Sequence, residues 1–480
     1  MLRYSIYGSI LLLFIFILYL LFSTEKGLTI KPIPAENRSL DYANLAEEAA
    51  LDLQKYIQIQ TVRGQEREAA LFLKAILEKE GITVRLFEYP NKPERVNLIA
   101  EIKGTEEKGG LILSNHMDVV EAVRSEWSFE PFEGFRQGDR IFGRGAIDMK
   151  GLGIMQLYAF ILVKKMNLPL KYNLMFLALA DEETRSQHGA RFLLSEYPDL
   201  FKGYEFMHNE GGSGTKDVIL KGSEIFNIQY AEKGIIWLEA YSEGESGHGS
   251  TPHLQYAAKD MLNFLTEIQN VETEFTISDV TASFFYQMGT ISPFPASFVL
   301  KRNRNFFLKP LLDSQIQKNR HLQAMTKNTI SITGINTYPK GINVITPQTK
   351  AMLDIRILPG VKPEEYYKKL EKIAKKYKIR LKALHMEAAT VSAIDSKFFK
   401  VLAETVSTVV PKVLVTPFMS PATTDSSYFR NIGIKCYGLI PALLNDKEID
   451  GIHGKDESIR VEHLKTGIQI LFESIVNYNK

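Results

Sequence analysis

An α/β domain around a mostly parallel central sheet is the architecture this sequence predicts. Three observations predict it. Short, wholly apolar runs of strand length, Gly110 to Ser114 and Leu174 to Ala180, have no polar alternation, so both faces of those strands are buried. Segments with helical apolar spacing separate the runs. Both runs end in clusters of His, Asp and Glu, where ligands sit in sheets of this kind.

In chain order, the first segment stands apart. Tyr4 to Phe22 is uncharged and almost entirely Ile, Leu, Phe, Tyr and Gly, with Arg3 before it and Glu25 and Lys26 after it. It has the length of a bilayer-crossing helix. Leu21-Phe22-Ser23 is a poor small-x-small cleavage site, so the reading is an uncleaved transmembrane anchor over 4–22, with the rest of the protein on the non-cytoplasmic side. Residues 23–40, with Pro32 and Pro34, read as a tether. Helices are expected over 42–60 and from Glu66 to Glu80, the second stopped by Gly81. Val96 to Ile102 alternates as a strand, and Gly151 to Lys165 is apolar at helical spacing. Further on, Ile235 to Tyr241, Ile330 to Thr333 and Ala351 to Leu358 read as strands, and Pro363 to Lys378 as a helix with a charged outer face. Residues 301–320 carry Lys301, Arg302, Arg304, Lys309, Lys318 and Arg320, which read as a solvated face or loop, with a lipid-headgroup contact as the alternative.

Composition excludes several classes of function. The chain has 480 residues, 45% hydrophobic and 24% charged, which at this length implies more than one domain. With 58 Lys and Arg against 56 Asp and Glu, the net charge is +2, so there is no broad basic field for nucleic acid. Cys436 is the only cysteine, which rules out an internal disulfide and a thiolate zinc site.

Five clusters carry the chemistry: Ser114-Asn-His116-Met-Asp118, Gly143-Arg-Gly-Ala-Ile-Asp148-Met-Lys-Gly151, Ala180-Asp-Glu182-Glu183, Asn209-Glu210-Gly-Gly212 and Gly451-Ile-His453-Gly. Gathering Asp118, Asp148, Glu182, Glu183 and Glu210 would set like charges against one another unless one or two divalent cations offset them. Imidazole with carboxylate suits zinc, and also manganese or cobalt. Asp118 could accept the second ring N–H of His116. Of the adjacent Glu182 and Glu183, one can bind metal while the other stays free as a general base. Singly, each cluster is better explained as ordinary structure; their joint occurrence at element ends is what points to a site.

From about residue 42 to the end, the chain resembles the zinc metallopeptidase family of aminoacylase, carboxypeptidase S, glutamate carboxypeptidase and N-fatty-acyl-amino-acid synthase/hydrolase. Thr423-Thr-Asp-Ser-Ser-Tyr-Phe429 and Gly451-Ile-His-Gly-Lys-Asp-Glu457 resemble the carboxypeptidase S-like branch. The resemblance implies a zinc-exopeptidase catalytic domain over 41–231 and 389–480, and an inserted α+β lid or dimerisation domain over 232–388. It implies two zinc ions: His116 and Glu210 on one, Glu183 and His453 on the other, Asp148 bridging. Glu182 would be the general base and Asp118 would orient His116. His248, in Gly247-His-Gly-Ser-Thr-Pro252, would polarise the scissile carbonyl, often across a homodimer. Asn343 and Arg356 would hold the substrate carboxylate, and Thr424 and Asp425 occupy the loop where the family usually has Gly-Gly-Thr-Asp. The implied substrate is a small peptide or an N-acyl amino acid. A metal-free binding protein on the same fold is the rival, and it predicts a missing ligand or base. His188, His253, His321, His385 and His463 are assigned to surface or hydrogen-bonding positions, and Glu210 is preferred to His208 as a ligand.

Overall fold

The computed structural model describes residues 11–19, 24–34, 38–271, 275–338 and 341–480. They divide into two compact units: a larger one of Leu28–Tyr230, Ser392–Phe418 and Thr424–Lys480, and a smaller one of Ala231–Val391, Met419–Thr423 and the residues up to Gly27.

In the larger unit the sheet runs, from one edge, through strands Val84–Tyr89, Lys92–Ile102, Tyr172–Leu179, Glu106–His116, Tyr204–Lys216, Lys435–Leu444 and Glu224–Glu232. Pairings at the centre are parallel: 106–116 with 172–179, 106–116 with 204–216, and 435–444 with 204–216. Pairings on either side of these are antiparallel, so the sheet is mixed where a mostly parallel one is expected. The reason is local. Pro90-Asn91, with Asn91 at φ 62°, turns one edge strand straight back on its neighbour, and a hairpin can only be antiparallel.

On one face of this sheet Ile112, Met175, Leu177 and Met207 cluster with Leu193 and Phe429 from two short helices. Helices Tyr42–Gln58, Lys150–Lys165 and Val461–Asn479 pack on one another in the same unit. Gly151 to Val163 is buried on every side, as expected for a helix apolar all round. Asp41 starts the first of these helices by accepting the backbone N–H groups of Ala43 and Asn44.

The smaller unit holds a four-stranded antiparallel sheet in the order Thr329–Tyr338, Gln348–Ile357, Gly234–Glu243, Arg380–Glu387. Burial alternates strictly along Gln348–Ile357, the signature of a sheet with one face covered. Helices Ala257–Gln269 and Pro363–Lys376 supply the cover through Phe264, Ile268, Leu370 and Ala374. Residues 276–327 fold into four short helices, Asp279–Ile291, Ala296–Leu300, Lys309–Ile316 and Arg320–Thr326. The ammonium of Lys233 caps the last of them, donating to the carbonyls of Ala324 (3.0 Å) and Lys327 (2.7 Å). Burial pulls that lysine's pKa down to about 7.

Among the described residues no helix is long and apolar enough to cross a membrane. Of the anchor expected over 4–22, residues 4–10 and 20–22 lie outside the described set, and 11–19 form a helix.

Candidate metal centre

Five elements of the larger unit deliver acidic and imidazole side chains to one place. His116 is the last residue of its strand, and Asp118 follows it. Asp148 precedes the N-terminus of helix Lys150–Lys165, where the macrodipole favours a carboxylate. Glu182 and Glu183 lie in a 3-10 turn just beyond strand Tyr172–Leu179. Glu210 is inside strand Tyr204–Lys216, and His453 follows helix Asp446–Gly451.

The geometry forms two triads that share one carboxylate. One ligand atom each from His116, Asp148 and Glu210 lies within 4.8 Å of the others, and the same holds for Asp148, Glu183 and His453. Asp148 spans the two: Oδ1 is 3.1 Å from His116 Nε2, and Oδ2 is 3.0 Å from His453 Nε2. His453 Nε2 is also 3.1 Å from Glu183 Oε1, and His116 Nε2 is 3.6 Å from Glu210 Oε1. His116 Nδ1 donates to the backbone carbonyl of Asp118 (2.9 Å). That fixes the tautomer and leaves Nε2, with its lone pair, facing the acids.

The Asp118 carboxylate does something the sequence reading did not anticipate. It lies 3.4 Å from His116 Nδ1, but its hydrogen bonds come from the backbone N–H groups of Glu182 (3.1 Å) and Glu183 (3.0 Å). It therefore positions the glutamate pair as well as facing His116.

The electrostatics match a cation site. Burial raises the carboxyl pKa of Glu182, helped by Glu210, and that of Glu210, helped by Asp148. Burial also raises Glu183, against the pull of its hydrogen bond to His453. Burial pushes Asp148 upward too, but its hydrogen bonds to His116 and His453 hold it well below the ordinary carboxylate range. His453 rises to about 10 through its hydrogen bonds to Asp148 and Glu183. Asp425 is buried, and burial lifts its carboxyl to about 7 against a hydrogen bond from Ser186. Crowded acids that gain protons, arranged around two imidazoles, form a donor set that fits hard or borderline divalent cations.

Three sets of residues around this centre carried no assigned role in the sequence reading. Glu457 is fully buried, and its carboxylate accepts from Arg144 Nη1 (2.7 Å) and from the backbone N–H groups of Gly145 (3.0 Å), Ile147 (2.7 Å) and Asp148 (3.0 Å). Arg144 Nη2 reaches the carbonyl of Gly454 (2.8 Å), beside His453. One ion pair thus fastens the Asp148 loop to the His453 loop. Gly438 lies against Glu210: a Cβ there would sit 1.7 Å from the Glu210 carbonyl oxygen, so no other residue permits that strand pairing. Behind His116, Asn115 donates to Gln156 (3.0 Å), whose amide donates to the Ser114 carbonyl (2.9 Å). His208 packs on that amide, 3.1 Å away, rather than among the acids. Glu457, Arg144 and Asn115 lie inside motif stretches already singled out in the sequence, whereas Gly438 and Gln156 have no such signal.

The remaining expected residues fall as follows. In the smaller unit, His248 is exposed on a two-residue strand paired with Val344-Ile345, and its Nδ1 is 2.7 Å from Ser250 Oγ. Asn343 lies next to it, its carbonyl accepting from Gly249 N (2.8 Å). Arg356 forms a two-point ion pair with Asp354 (2.7 and 3.0 Å), and its Nη1 is 3.4 Å from Thr423 Oγ1. In the larger unit Thr424 Oγ1 accepts from Ser426 N (3.2 Å). His188, assigned to hydrogen bonding, is buried with Nδ1 2.6 Å from Asp181 Oδ2.

Comparison with known proteins decides the family. Residues 112–477 match the Peptidase family M20/M25/M40. The chain belongs to this family. It is 26% identical over 374 residues to the N-fatty-acyl-amino acid synthase/hydrolase PM20D1 of Homo sapiens, covering 76% of this chain and 73% of that one. It is 23% identical over 392 residues to probable carboxypeptidase S-like 2 of Dictyostelium discoideum, covering 80% and 75%. Among solved structures, an M20 family metallo-carboxypeptidase from Sulfolobus solfataricus superposes with a TM-score of 0.70 at 20% identity, over 90% of this chain and 99% of that one. This M20 protein is accordingly a metallopeptidase-class hydrolase of amide bonds.

Proposed function

We propose that the protein hydrolyses the amide bond of small substrates bearing a free carboxylate, N-acyl amino acids or short peptides, with two zinc ions and Glu182 as general base. The observation that carries the proposal is the pair of triads sharing Asp148. His116 and Glu210 would hold one ion, Glu183 and His453 the other, and Asp148 both. When bound, two such cations supply Lewis acidity and lower the pKa of an attacking water. Manganese or cobalt fits the same donors.

The chain's own residues do the rest. Glu182 has no hydrogen bond to its carboxylate among the described residues, and its raised proton affinity suits a group that takes a proton from water and returns it to the leaving nitrogen. Asp118 holds the backbone beneath it. Arg356 would turn Nη1 from its long bond to Thr423 Oγ1 (3.4 Å) to a substrate carboxylate, because Asp354 occupies Nε and Nη2. Asn343 would assist in binding, and Thr424 and Asp425 would line the substrate side. His248 would polarise the scissile carbonyl, from its own subunit or across a homodimer.

Similarity to the human N-fatty-acyl-amino acid enzyme favours N-acyl amino acids, and similarity to a carboxypeptidase S-like protein keeps peptides in play. The test is metal content of the purified full chain, paired with hydrolysis of a long-chain N-acyl amino acid and a dipeptide before and after chelation. About two zinc per chain and chelator-sensitive hydrolysis are expected. No metal uptake and no activity on adding zinc would move a metal-free binding role to the front.

We also propose that residues 4–22 hold the protein at a membrane, with the folded units on the non-cytoplasmic side. Supporting this, the run is uncharged, and within its described part Leu11 to Ile15, Ile17 and Tyr19 are all exposed. Water is a poor environment for such a helix, and lipid is a good one.

A further inference from the structure

A second apolar surface lies beside that helix. The turn 301–308 in the smaller unit is rigidly built. Buried Asn303 donates to the carbonyls of Ala282 and Leu300 (both 2.9 Å), and Arg302 lies over the Phe298 ring at 4.1 Å. Out of this turn project Phe306, 73% exposed, and Phe307, with Leu311 of the next helix 58% exposed. Fixed, solvent-facing aromatic and aliphatic side chains this close in sequence call for a partner.

Two observations say which partner. The first is continuity. Phe16 meets Phe307 edge to face at 4.7 Å, and Tyr19 lies 6.2 Å from the same ring. Just after this helix, Glu25 N donates to the Lys301 carbonyl (2.9 Å), and its carboxylate takes Arg304 Nε (3.0 Å) and Nη2 (2.5 Å). The N-terminal segment is therefore tied to this turn by Phe16 and Tyr19 of the uncharged run and by Glu25 just after it. The second is charge. Residues 301–320 hold six basic residues against the single acidic Asp313, in a chain whose net charge is only +2. Aromatic and aliphatic side chains among cations are the chemistry of an interfacial contact with anionic lipid.

We propose that residues 301–320 form a collar that docks on an anionic phospholipid surface: Phe306, Phe307 and Leu311 enter the headgroup–acyl boundary while Lys301, Lys309 and Lys318 face lipid phosphates. This rests on the reading of residues 4–22 as a membrane anchor. The collar then fixes how the smaller unit stands on the membrane, which an anchor on a tether alone does not.

The test uses the full chain in vesicles of brominated phosphatidylcholine and phosphatidylglycerol. Phe14→Trp reports on the anchor and Phe306→Trp on the collar, each measured as the change over the parent with Trp127 and Trp237. Both new tryptophans should be quenched about twofold or more. Adding Lys301→Glu, Lys309→Glu and Lys318→Glu, or raising salt to about 0.5 M, should abolish quenching at position 306 and leave position 14 quenched. Hydrolysis of a soluble substrate should stay at the parental rate, because the collar holds no catalytic residue. Quenching at 14 without quenching at 306 overturns the collar and spares the anchor. Quenching at neither overturns both. A blue shift at 306 that follows protein concentration and ignores lipid assigns the surface to a second copy of the chain and overturns the proposal.

Discussion

The two units handle their polar residues in opposite ways. In the larger, His116, Asp118 and Glu210 are buried, His116 with 2% of its surface exposed, and each depends on another for its hydrogen bonds or charge balance. In the smaller, His248 and Asn343 are exposed on two segments joined by a two-residue ladder, away from the apolar cluster that packs that unit's helices on its sheet. Buried polar groups must satisfy one another, so the larger unit's site is a network in which binding and position fail together. Exposed residues on a covered scaffold can change turnover without disturbing the centre.

The contrast can be broken or sharpened by substitution. The largest effect is expected from Glu182→Gln: kcat should fall about 10²–10⁴-fold, with metal content by mass spectrometry unchanged, because this residue is outside both triads. Loss of metal would make Glu182 a ligand instead. Phe264→Ala, in the core of the smaller unit, should cost about 3–5 kcal/mol in denaturant unfolding and leave zinc affinity at the parental value. A fall in affinity would mean that the two units are not separate supports. His248→Ala should lower kcat about 10²-fold with no change in metal content. Glu457→Gln should weaken zinc binding about 10–100-fold, although it touches no metal, since it loosens the backbone on which Asp148 sits.

The smallest effect is a pH dependence outside both sites. Burial lowers the pKa of His463 to about 4, from an ordinary 6.5. The folded state therefore resists a proton that the unfolded chain accepts. This contribution is fully present above about pH 6.5 and is lost as pH falls through about 4. Thermal melts between pH 7 and 4 should fall less steeply for His463→Gln than for the parent. Equal slopes would remove His463 as a source of acid lability.

These effects also explain what the sequence disclosed. His116 and Glu182-Glu183 were visible because each follows an uninterrupted apolar run, and burial on both faces leaves that pattern in the residues. Glu210 was not visible in this way. Its strand, Tyr204–Lys216, contains Gly211, Gly212 and Gly214 and few β-branched residues, and it forms through pairing with 106–116 and 435–444 rather than through local preference. It stood out only as part of Asn209-Glu210-Gly-Gly212, and the family resemblance supplied its expected role. The antiparallel edge has its signal in Pro90-Asn91, a turn dipeptide between two strand-length segments. Helices in 276–327 are five to thirteen residues long and lack a motif, so their order comes from contacts such as those of Lys233 and Asn303. His248 and Asn343, on segments with no periodic pattern, came from the family resemblance.

The bond between Asp148 N and Glu457 joins residues 309 apart. On a ribosome adding about 5–20 residues per second, that separation corresponds to about 15–60 s of synthesis. Through this interval the loop around Asp148 has left the ribosome without the carboxylate that shapes it and without His453. A growing chain therefore cannot give the Asp148 loop its final hydrogen bonds until Glu457 has been made.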